Sequence, residues 1–215
     1  MTTHSRFFSR CSLVPLFLRI TFLSSIVLAF VVVGCTRNEI RTNVDSANHE
    51  LREIRSPDIL FVPTPQEVVD KMLELAEVKK GDLIYDLGCG DGRIVITAAK
   101  KYGCKGVGYD IDPKRVIESL ENVRKNGVQK LVRIEQKDIY TLDLRKADVI
   151  TLYLLSSLNV KLLPQLEMLK PGTRIVSHDF DMQGIVTPDK EITVNSGSRT
   201  HSVYLWITPL KRNDK

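Results

Sequence analysis

The sequence predicts an α/β protein with a doubly wound, mostly parallel seven-stranded sheet that ends in an antiparallel hairpin. Three observations lead to this prediction. Short apolar runs alternate with segments of helical spacing from residue 64 onward, the pattern of parallel strands joined by crossover helices. Two strand-like runs flank Ser196-Gly197-Ser198-Arg199, which predicts a closing hairpin. The length of 215 residues and the hydrophobic content of 43% fit one domain with an appendage.

The first predicted helix follows Thr64. Thr64-Pro65-Gln66-Glu67 has the capping-box pattern, with a capping hydroxyl, a proline at the first helical position and a glutamate three residues after the cap. The helical spacing ends at Gly81, and a strand is predicted directly after it. The seven predicted strands lie at 82–86, 105–109, 132–136, 147–153, 173–177, 191–195 and 200–208.

Further helices are predicted between the strands. One covers 93–102, and another runs from Pro113 to Asn126-Gly127, where the pattern of a helix C-terminus appears. The helical spacing at 158–169 is interrupted by Pro164, which predicts two short helices there. The buried face of the helix that begins at Pro113 is predicted to consist of Val116, Ile117, Leu120 and Val123.

The charge distribution argues against nucleic acid as a partner. The formal net charge is +5, but Arg6, Arg10 and Arg19 all precede the first acidic residue, so the rest of the chain is nearly balanced. A nearly neutral domain lacks the basic surface that phosphate backbones require. The four cysteines show no CxxC spacing and no histidines spaced for zinc, so neither a disulfide framework nor a metal site is predicted.

Residues 1–35 are predicted to be a signal or anchor segment, 36–56 a polar tether and 57–215 the folded domain. The apolar run Ile20–Val33 would span about 21 Å as a helix, against ~30 Å for a hydrocarbon core. Val32-Val33-Gly34-Cys35 resembles the lipobox of bacterial lipoproteins, the acid-free leader is also similar to a mitochondrial transit peptide, and an uncleaved anchor is a third interpretation. Each interpretation attaches the protein to a membrane or targets it to mitochondria.

A glycine-rich loop after the first predicted strand marks a ligand site. In a doubly wound sheet, ligands bind beyond the carboxyl ends of the strands, near the point where the strand order reverses. The dinucleotide fingerprint G-x-G-x-x-G fails here, because its third glycine would be Arg93. An acid at the strand end would repel a pyrophosphate but suits a ligand with a cationic amino acid portion, such as S-adenosylmethionine. The predicted cofactor residues of this loop are Asp86, Gly88 and Gly90.

Two more acids follow the next two strands. Asp110 is placed to accept hydrogen bonds from both ribose hydroxyls of a nucleoside, and Asp138 from an adenine amino group. Ile111 and Ile139 are both candidates for the cofactor site, and one or the other is predicted to pack against the adenine ring. Each acid alone could be an ordinary loop residue, but acids at three successive strand ends favour a nucleoside-binding site. S-adenosylmethionine is therefore the predicted cofactor.

These residues together resemble the class I S-adenosylmethionine-dependent methyltransferases over residue 57 to about 210. More specifically, four segments are similar to the membrane-associated protein-lysine methyltransferases of the ATP synthase c-subunit and adenine nucleotide translocase type and their prokaryotic relatives. The resemblance implies a Rossmann-like fold, a methyl-transfer activity and a protein substrate, with a membrane protein as one candidate. The segments that carry it are 61–65, 86–95, 147–155 and 172–180.

Three residues near the ends of the fourth and fifth strands are candidates for the substrate side. Tyr153, His178 and Asp179 can orient an acceptor amine, and Asp179 can bind an incoming ammonium. An ordinary core tyrosine and a local hydrogen-bonded turn are the corresponding structural interpretations. Besides a lysine methyltransferase, two alternatives stay open: a methyltransferase acting on a lipid or small hydrophobic molecule, and a non-enzymatic cofactor-binding lipoprotein.

Overall fold

The computed structural model describes residues 60–213 of the chain. The predicted leader at 1–35 and tether at 36–56 therefore lie outside the described residues. Seven strands form one sheet in the order β3-β2-β1-β4-β5-β7-β6, which confirms the predicted fold class. The strands are β1 (Leu83–Leu87), β2 (Lys105–Asp110), β3 (Val132–Gln136), β4 (Val149–Leu152), β5 (Arg174–His178), β6 (Lys190–Ser196) and β7 (Arg199–Ile207).

Four α-helices and one short 3₁₀ helix accompany these strands, and the first of the helices precedes β1. The three helices α1, α2 and α3 pack on one face of the sheet with a core that includes Met72, Val95 and Val123. The opposite face holds α4, the 3₁₀ helix and a core that includes Leu152, Leu162 and Trp206. The helices are α1 (Gln66–Leu75), α2 (Arg93–Tyr102), α3 (Pro113–Lys125), α4 (Ser156–Leu166) and the 3₁₀ helix Ile139–Thr141.

The strand order reverses between β1 and β4, and this reversal positions the ligand site. β1 pairs in parallel with β2 on one side and with β4 on the other. The chain therefore leaves β1 and β4 in opposite directions around the sheet, which opens a crevice beyond their carboxyl ends. The antiparallel strand β7 lies beside β5, so the loop after β5 faces the hairpin edge.

The predicted capping box at Thr64 is wrong. Helix α1 begins at Gln66, its N-cap residue is Pro65, and no side chain caps its first turn. Thr64 is buried, and its hydroxyl oxygen lies 3.2 Å from Nδ1 of His178 in β5. The Thr64 hydroxyl therefore contacts His178, a residue distant in sequence, and does not cap the helix as the local pattern predicted.

Two predictions about helices are also wrong. The segment with Pro164 forms one continuous helix, α4, with the proline inside its last turn. In α3, Ile117 and Leu120 are exposed, whereas Ser119 is fully buried. The helix is turned so that Ser119 faces the glycine-rich loop, where its hydroxyl donates a hydrogen bond to the carbonyl oxygen of Gly90 (2.6 Å).

Within residues 60–213, no helix is both long and apolar enough to cross a membrane.

Candidate active site

A cavity of about 250 Å³ opens at the carboxyl ends of β1, β2 and β4, where the strand order reverses. Its wall contains six of the seven residues that the sequence predicted for the cofactor. These six are Asp86, Gly88, Asp110, Ile111, Asp138 and Ile139. The structure thus brings together residues that are up to 53 positions apart in the chain, as the predicted doubly wound fold requires.

Asp86 places an incompletely paired carboxylate in this wall. The side chain is almost fully buried, and its Oδ1 accepts a hydrogen bond from the hydroxyl of Thr151 in β4 (2.7 Å). Its Oδ2 is buried without a hydrogen-bond partner among the residues that the structure describes. Burial raises the pKa of Asp86 to about 7, and the hydrogen bond from Thr151 opposes the rise only partly. A cationic group in the cavity would supply the missing partner.

Asp110 lies at the end of β2 and organises the glycine-rich loop. Its Oδ2 accepts the backbone N–H of Gly90 (2.8 Å), and its Oδ1 accepts the backbone N–H of Asp112 (2.9 Å). Each carboxylate oxygen can accept more than one hydrogen bond, so both keep acceptor capacity toward the cavity. Burial raises the pKa of Asp110, and the two backbone donors oppose this effect.

Gly90, the seventh predicted residue, supports the cavity from outside its wall. Its backbone has a left-handed conformation, with φ of 57°. A Cβ atom at this position would overlap the aromatic ring of Phe61, which does line the cavity. Glycine is therefore required here both by the backbone conformation and by the close approach of Phe61.

Residues 60–64, here called the N-terminal strap, form one side of the cavity. The guanidinium of Arg115 lies over the ring of Phe61, 4.8 Å from its centroid. Arg93 donates from Nη1 to the carbonyl oxygen of Thr64 (2.7 Å) and from Nε to the carboxylate of Asp91 (2.9 Å). The strap is thus fastened to the glycine-rich loop through charged side chains of α2 and α3.

Asp138 is the N-cap residue of the 3₁₀ helix after β3. Its Oδ1 accepts the backbone N–H of Tyr140 (3.0 Å), so the carboxylate also caps this short helix. Ile139 and Ile111 contribute apolar wall beside the two acids. Asp110 and Asp138 provide hydrogen-bond acceptors, and the isoleucines provide an apolar surface, as binding of a nucleoside requires. The role of each single residue stays a prediction.

The other end of the cavity is aromatic and apolar. Tyr153, which follows β4, and Phe180, which follows β5, both line it, with their rings stacked at 6.0 Å between centroids. Asn159 of α4 holds the loop after β5 by donating to the carbonyl oxygens of Phe180 (3.0 Å) and Asp181 (3.2 Å). Burial raises the pKa of Tyr153, and the charge of Asp179 adds to this effect.

His178 and Asp179 lie behind this aromatic end, outside the set of residues that line the cavity. The imidazole of His178 packs against the ring of Tyr153, with 3.9 Å between ring centroids and 33° between the ring planes. Burial lowers the pKa of His178 to about 4, although the carboxylate of Asp179 opposes the shift. Asp179 has a left-handed backbone, with φ of 57°, and directs its Oδ2 to within 2.9 Å of Nδ1 of His201. Their predicted contact with an acceptor stays a prediction.

Three contributors to this region were not predicted from the sequence: Phe61, Phe180 and His201. Phe61 and Phe180 stood inside segments that carried the resemblance, but no local pattern assigned them a role. His201 belongs to β7 and reaches the end of β5 only through the antiparallel pairing of the two strands. That register depends on tertiary packing, so no local signal could have identified His201.

Similarity to known proteins identifies the family. The family model of the ANTKMT methyltransferase domain matches residues 86–190. A protein-lysine N-methyltransferase of Saccharolobus islandicus (strain REY15A) is 46% identical over 153 residues, which cover 70% of this chain and 94% of the relative. The chain belongs to the S-adenosylmethionine-dependent methyltransferases. The predicted family and enzyme class are thereby confirmed.

Two further relatives of this methyltransferase differ in their described substrates. The human lysine N-methyltransferase of the ATP synthase c-subunit is 28% identical over 131 residues, which cover 60% of this chain and 54% of the human protein. A crystal structure described as an RNA methyltransferase from Salinibacter ruber, in complex with S-adenosyl-L-homocysteine, is 50% identical with a TM-score of 0.65. It covers 72% of this chain and 98% of the other. The similarities thus establish methyl transfer and leave the acceptor to be argued from the site.

Proposed function

We propose that this methyltransferase is a membrane-associated protein-lysine N-methyltransferase that uses S-adenosylmethionine. The observation that carries the proposal is the division of the cavity into an acidic end and an aromatic, apolar end. The acidic end contains Asp86, Asp110 and Asp138, and the other end contains Tyr153 and Phe180. The acidic end suits the cofactor, and the apolar end suits a long alkyl amine.

The residues present fit the cofactor. The buried Oδ2 of Asp86 lacks a partner among the described residues, and the amino group of S-adenosylmethionine would provide a cationic one. Asp110 would accept from the ribose hydroxyls, while Asp138 and the two isoleucines would hold the adenine. When bound, the cofactor supplies an activated methyl group, so the protein needs mainly to position the acceptor and exclude water.

A lysine side chain has the shape and polarity for the aromatic end. Its four-carbon stem can pack against Tyr153, Leu154 and Phe180, as alkyl stems of lysine commonly do on apolar surfaces. The amine must be neutral to act as a nucleophile, and burial among apolar side chains disfavours its charged form. We propose that Tyr153 contacts the acceptor nitrogen, because it lines the aromatic end of the cavity and directly follows β4, the strand beside β1 and Asp86.

His178 and Asp179 are proposed as positioning residues that act through Tyr153. The stacking of His178 on the tyrosine ring fixes the ring plane, and Asp179 holds His201 on the far side of His178. Asp179→Ala should therefore lower kcat for methyl transfer far more than it lowers cofactor affinity. Asp179→Asn, which keeps the side-chain shape, should restore part of the lost rate. Equal losses of rate and affinity would assign Asp179 to the cofactor site instead.

The rim of the cavity favours an acceptor in an apolar protein environment. Leu60 is 88% exposed, Val62 is 54% exposed and Leu155 is 44% exposed, and all three line the cavity. Exposed apolar side chains grouped at a cavity mouth are typical of a surface that binds a hydrophobic partner. A lysine that flanks a membrane-embedded segment fits this rim, and the predicted N-terminal attachment would bring the enzyme to such a substrate.

The acceptor class can be identified with radiolabelled S-adenosylmethionine and the membrane and RNA fractions of the source cells. We expect the label in a protein, and acid hydrolysis of that protein should release methylated lysine. Label in RNA, or in an organic-soluble small molecule, would contradict the proposal. Residues 60–213 carry 23 Lys and Arg against 20 Asp and Glu, so they lack the strongly basic balance typical of RNA-binding domains.

Tyr153→Phe tests the role of the hydroxyl group within the same assay. Its rate should fall at least tenfold with little change in cofactor affinity, because the variant keeps the ring that stacks on His178. Tyr102→Phe is the matched control, since Tyr102 ends helix α2 and is absent from the cavity wall. If the two variants are equally active, the Tyr153 hydroxyl has no role in methyl transfer.

A further inference from the structure

Three side chains with metal-binding atoms meet behind the aromatic end of the cavity. Nε2 of His178 lies 2.9 Å from Nδ1 of His201, and Nδ1 of His201 lies 2.9 Å from Oδ2 of Asp179. The third pair, His178 Nε2 and Asp179 Oδ2, is separated by 3.3 Å. The described residues contain two histidines, and both are in this group. The three residues are here called the His-His-Asp cluster.

Hydrogen bonding cannot satisfy all three close pairs at once. Each neutral imidazole carries one proton on one of its two nitrogens, and an ionised carboxylate only accepts. With a proton on Nδ1 of His201, the lone pairs of His178 Nε2 and Asp179 Oδ2 still face each other. With the proton on Nε2 of His178 instead, the lone pairs of His201 and Asp179 face each other. Protons on both nitrogens would bring two N–H groups together at 2.9 Å.

One cation would satisfy the three atoms simultaneously. A point ~2.1 Å from each of them is a normal distance for nitrogen and oxygen ligands of zinc. The measured separations of 2.9, 2.9 and 3.3 Å then correspond to ligand–metal–ligand angles of roughly 90° to 105°. These angles lie between octahedral and tetrahedral geometry, with further positions left for water or another ligand.

The surroundings of the cluster have the features of a supported metal site. The hydroxyl oxygen of Thr64 lies 3.2 Å from Nδ1 of His178, so it can accept a hydrogen bond from a protonated Nδ1, and Nε2 then keeps a free lone pair. The backbone N–H of Ser202 donates to Oδ1 of Asp179 (2.9 Å), which orients the other oxygen toward the histidines. His178 and His201 are buried, and Asp179 is partly exposed.

We propose that His178, Asp179 and His201 bind a divalent transition-metal ion of the zinc class. Two imidazole nitrogens and one carboxylate oxygen suit such ions better than magnesium or calcium, which prefer oxygen ligands. The ion would join the end of β5 to β7 directly behind Tyr153. It would therefore act as a structural link on the acceptor side of the cavity, separate from the cofactor residues.

The test is metal binding by the full-length protein without an affinity tag. After removal of bound metal with a chelator, the protein is dialysed against Zn²⁺ and its metal content is measured by mass spectrometry. We expect one ion bound per chain through the cluster, and Co²⁺ in place of zinc should give visible absorption bands from histidine coordination. Bound Zn²⁺ should also raise the melting temperature, because a ligand that binds only the folded state stabilises it.

His201→Ala should weaken zinc binding by more than about 100-fold and abolish the thermal shift, because loss of a direct ligand costs more than loss of a group that only hydrogen-bonds to a ligand. Asp179→Asn keeps the side-chain shape and provides a second variant if the histidine variant folds poorly. Asp143→Asn is the control, since this exposed carboxylate pairs with Arg145 away from the cluster. If the wild type binds no zinc, or if His201→Ala binds it as tightly, the proposal is wrong. Calorimetry of S-adenosylmethionine binding with chelator present tests the cofactor site independently.

Discussion

Among single residues, Asp86 is suited to bind a cationic ligand, but its buried charge destabilises the cofactor-free protein. Its carboxyl group is buried, and one oxygen lacks a partner among the described residues. Its pKa of about 7 in the folded protein is higher than the ordinary value near 4 of the unfolded chain. The contribution of Asp86 to the stability of the cofactor-free protein is therefore greatest below pH 4 and is lost as the pH rises through about 7.

Asp86→Asn should remove this pH dependence. The variant should gain stability relative to the wild type as the pH rises from 5 to 8, by roughly 2 kcal/mol, because no buried charge forms. Its affinity for S-adenosylmethionine should fall, since the cationic amino group loses its partner. Urea unfolding at pH 5 and pH 8 measures the first effect and calorimetry the second. Asp143→Asn is the control, and a stability difference for Asp86→Asn that is the same at both pH values would contradict the assignment.

Asp110→Ala should weaken S-adenosylmethionine binding by roughly 1.5 to 3 kcal/mol, the range for hydrogen bonds to a charged group. The carboxylate also holds the backbone N–H groups of Gly90 and Asp112, so circular dichroism must show that the variant is folded. Calorimetry gives the affinity, with Asp143→Ala as the control for loss of a surface carboxylate. Unchanged affinity in a folded variant would exclude Asp110 from ribose binding.

At the scale of elements, the glycine-rich loop is held by neighbours from three directions. The strap places Phe61 against Gly90, β2 provides Asp110, and α3 provides Ser119 and Asn122. Asn122 donates to the carbonyl oxygen of Asp91 (3.0 Å). The conformation of the loop therefore depends on its contacts with the strap, β2 and α3. A substitution that disturbs any of these contacts should alter cofactor binding.

Gly90→Ala tests the contact between the strap and the loop. A Cβ atom would be strained by the left-handed backbone and would also displace the ring of Phe61. Gly127→Ala is the matched control, because Gly127 has φ of 69° with open space around it. The control should lose roughly 1 kcal/mol of unfolding free energy and keep its cofactor affinity. Gly90→Ala should lose roughly 1 to 3 kcal/mol more, together with affinity.

The double variant Gly90→Ala/Phe61→Ala distinguishes the steric clash from the backbone strain. Removal of the ring eliminates the clash but leaves the left-handed conformation. If the clash dominates, the two substitutions should be far from additive in unfolding free energy. Additive losses would mean that Phe61 and Gly90 do not interact in solution.

The elements themselves were largely predictable, and two of the three wrong predictions share one cause. Strand and helix periods located all seven strands, because buried parallel strands and amphipathic helices carry their burial pattern in the local sequence. The capping role of Thr64 and the burial of Ile117 and Leu120 were predicted wrongly. In both places a polar group makes a long-range contact. Thr64 lies against His178, and Ser119 of α3 bonds to Gly90, so tertiary contacts outweighed the local pattern.

At the scale of the whole molecule, the parallel sheet explains why the cofactor site could be predicted. Parallel strands bring their carboxyl ends to one edge, so acids that follow successive strands must lie near one another. No comparable rule predicts the His-His-Asp cluster from the sequence. His201 meets His178 because β7 pairs antiparallel with β5, and neither the partner nor the register of β7 can be derived from the hairpin sequence alone.

Membrane attachment depends on residues 1–35, which lie outside the described part of the chain. We expect the protein to fractionate with membranes through Ile20–Val33. Cys35→Ser distinguishes lipidation from a simple anchor, since only a lipoprotein should lose its processing and membrane retention. A variant that lacks residues 1–35 should be released from membranes, and retention of that variant would place the attachment elsewhere.

Two physical requirements disagree about the side of the membrane on which the catalytic domain lies. The positive-inside rule retains Arg6, Arg10 and Arg19 in the cytoplasm and would send the catalytic domain outward across a single span. The methyl donor is made in the cytosol, so an exported domain would lack its substrate. Because the chain belongs to a methyltransferase family, we expect the domain on the side that holds the donor, through mitochondrial import or an inward orientation. Protease added to sealed cells, spheroplasts or mitochondria should then leave the domain intact until the membrane is opened with detergent. Digestion of the domain in sealed bacterial cells would contradict this orientation and rule out methylation in place.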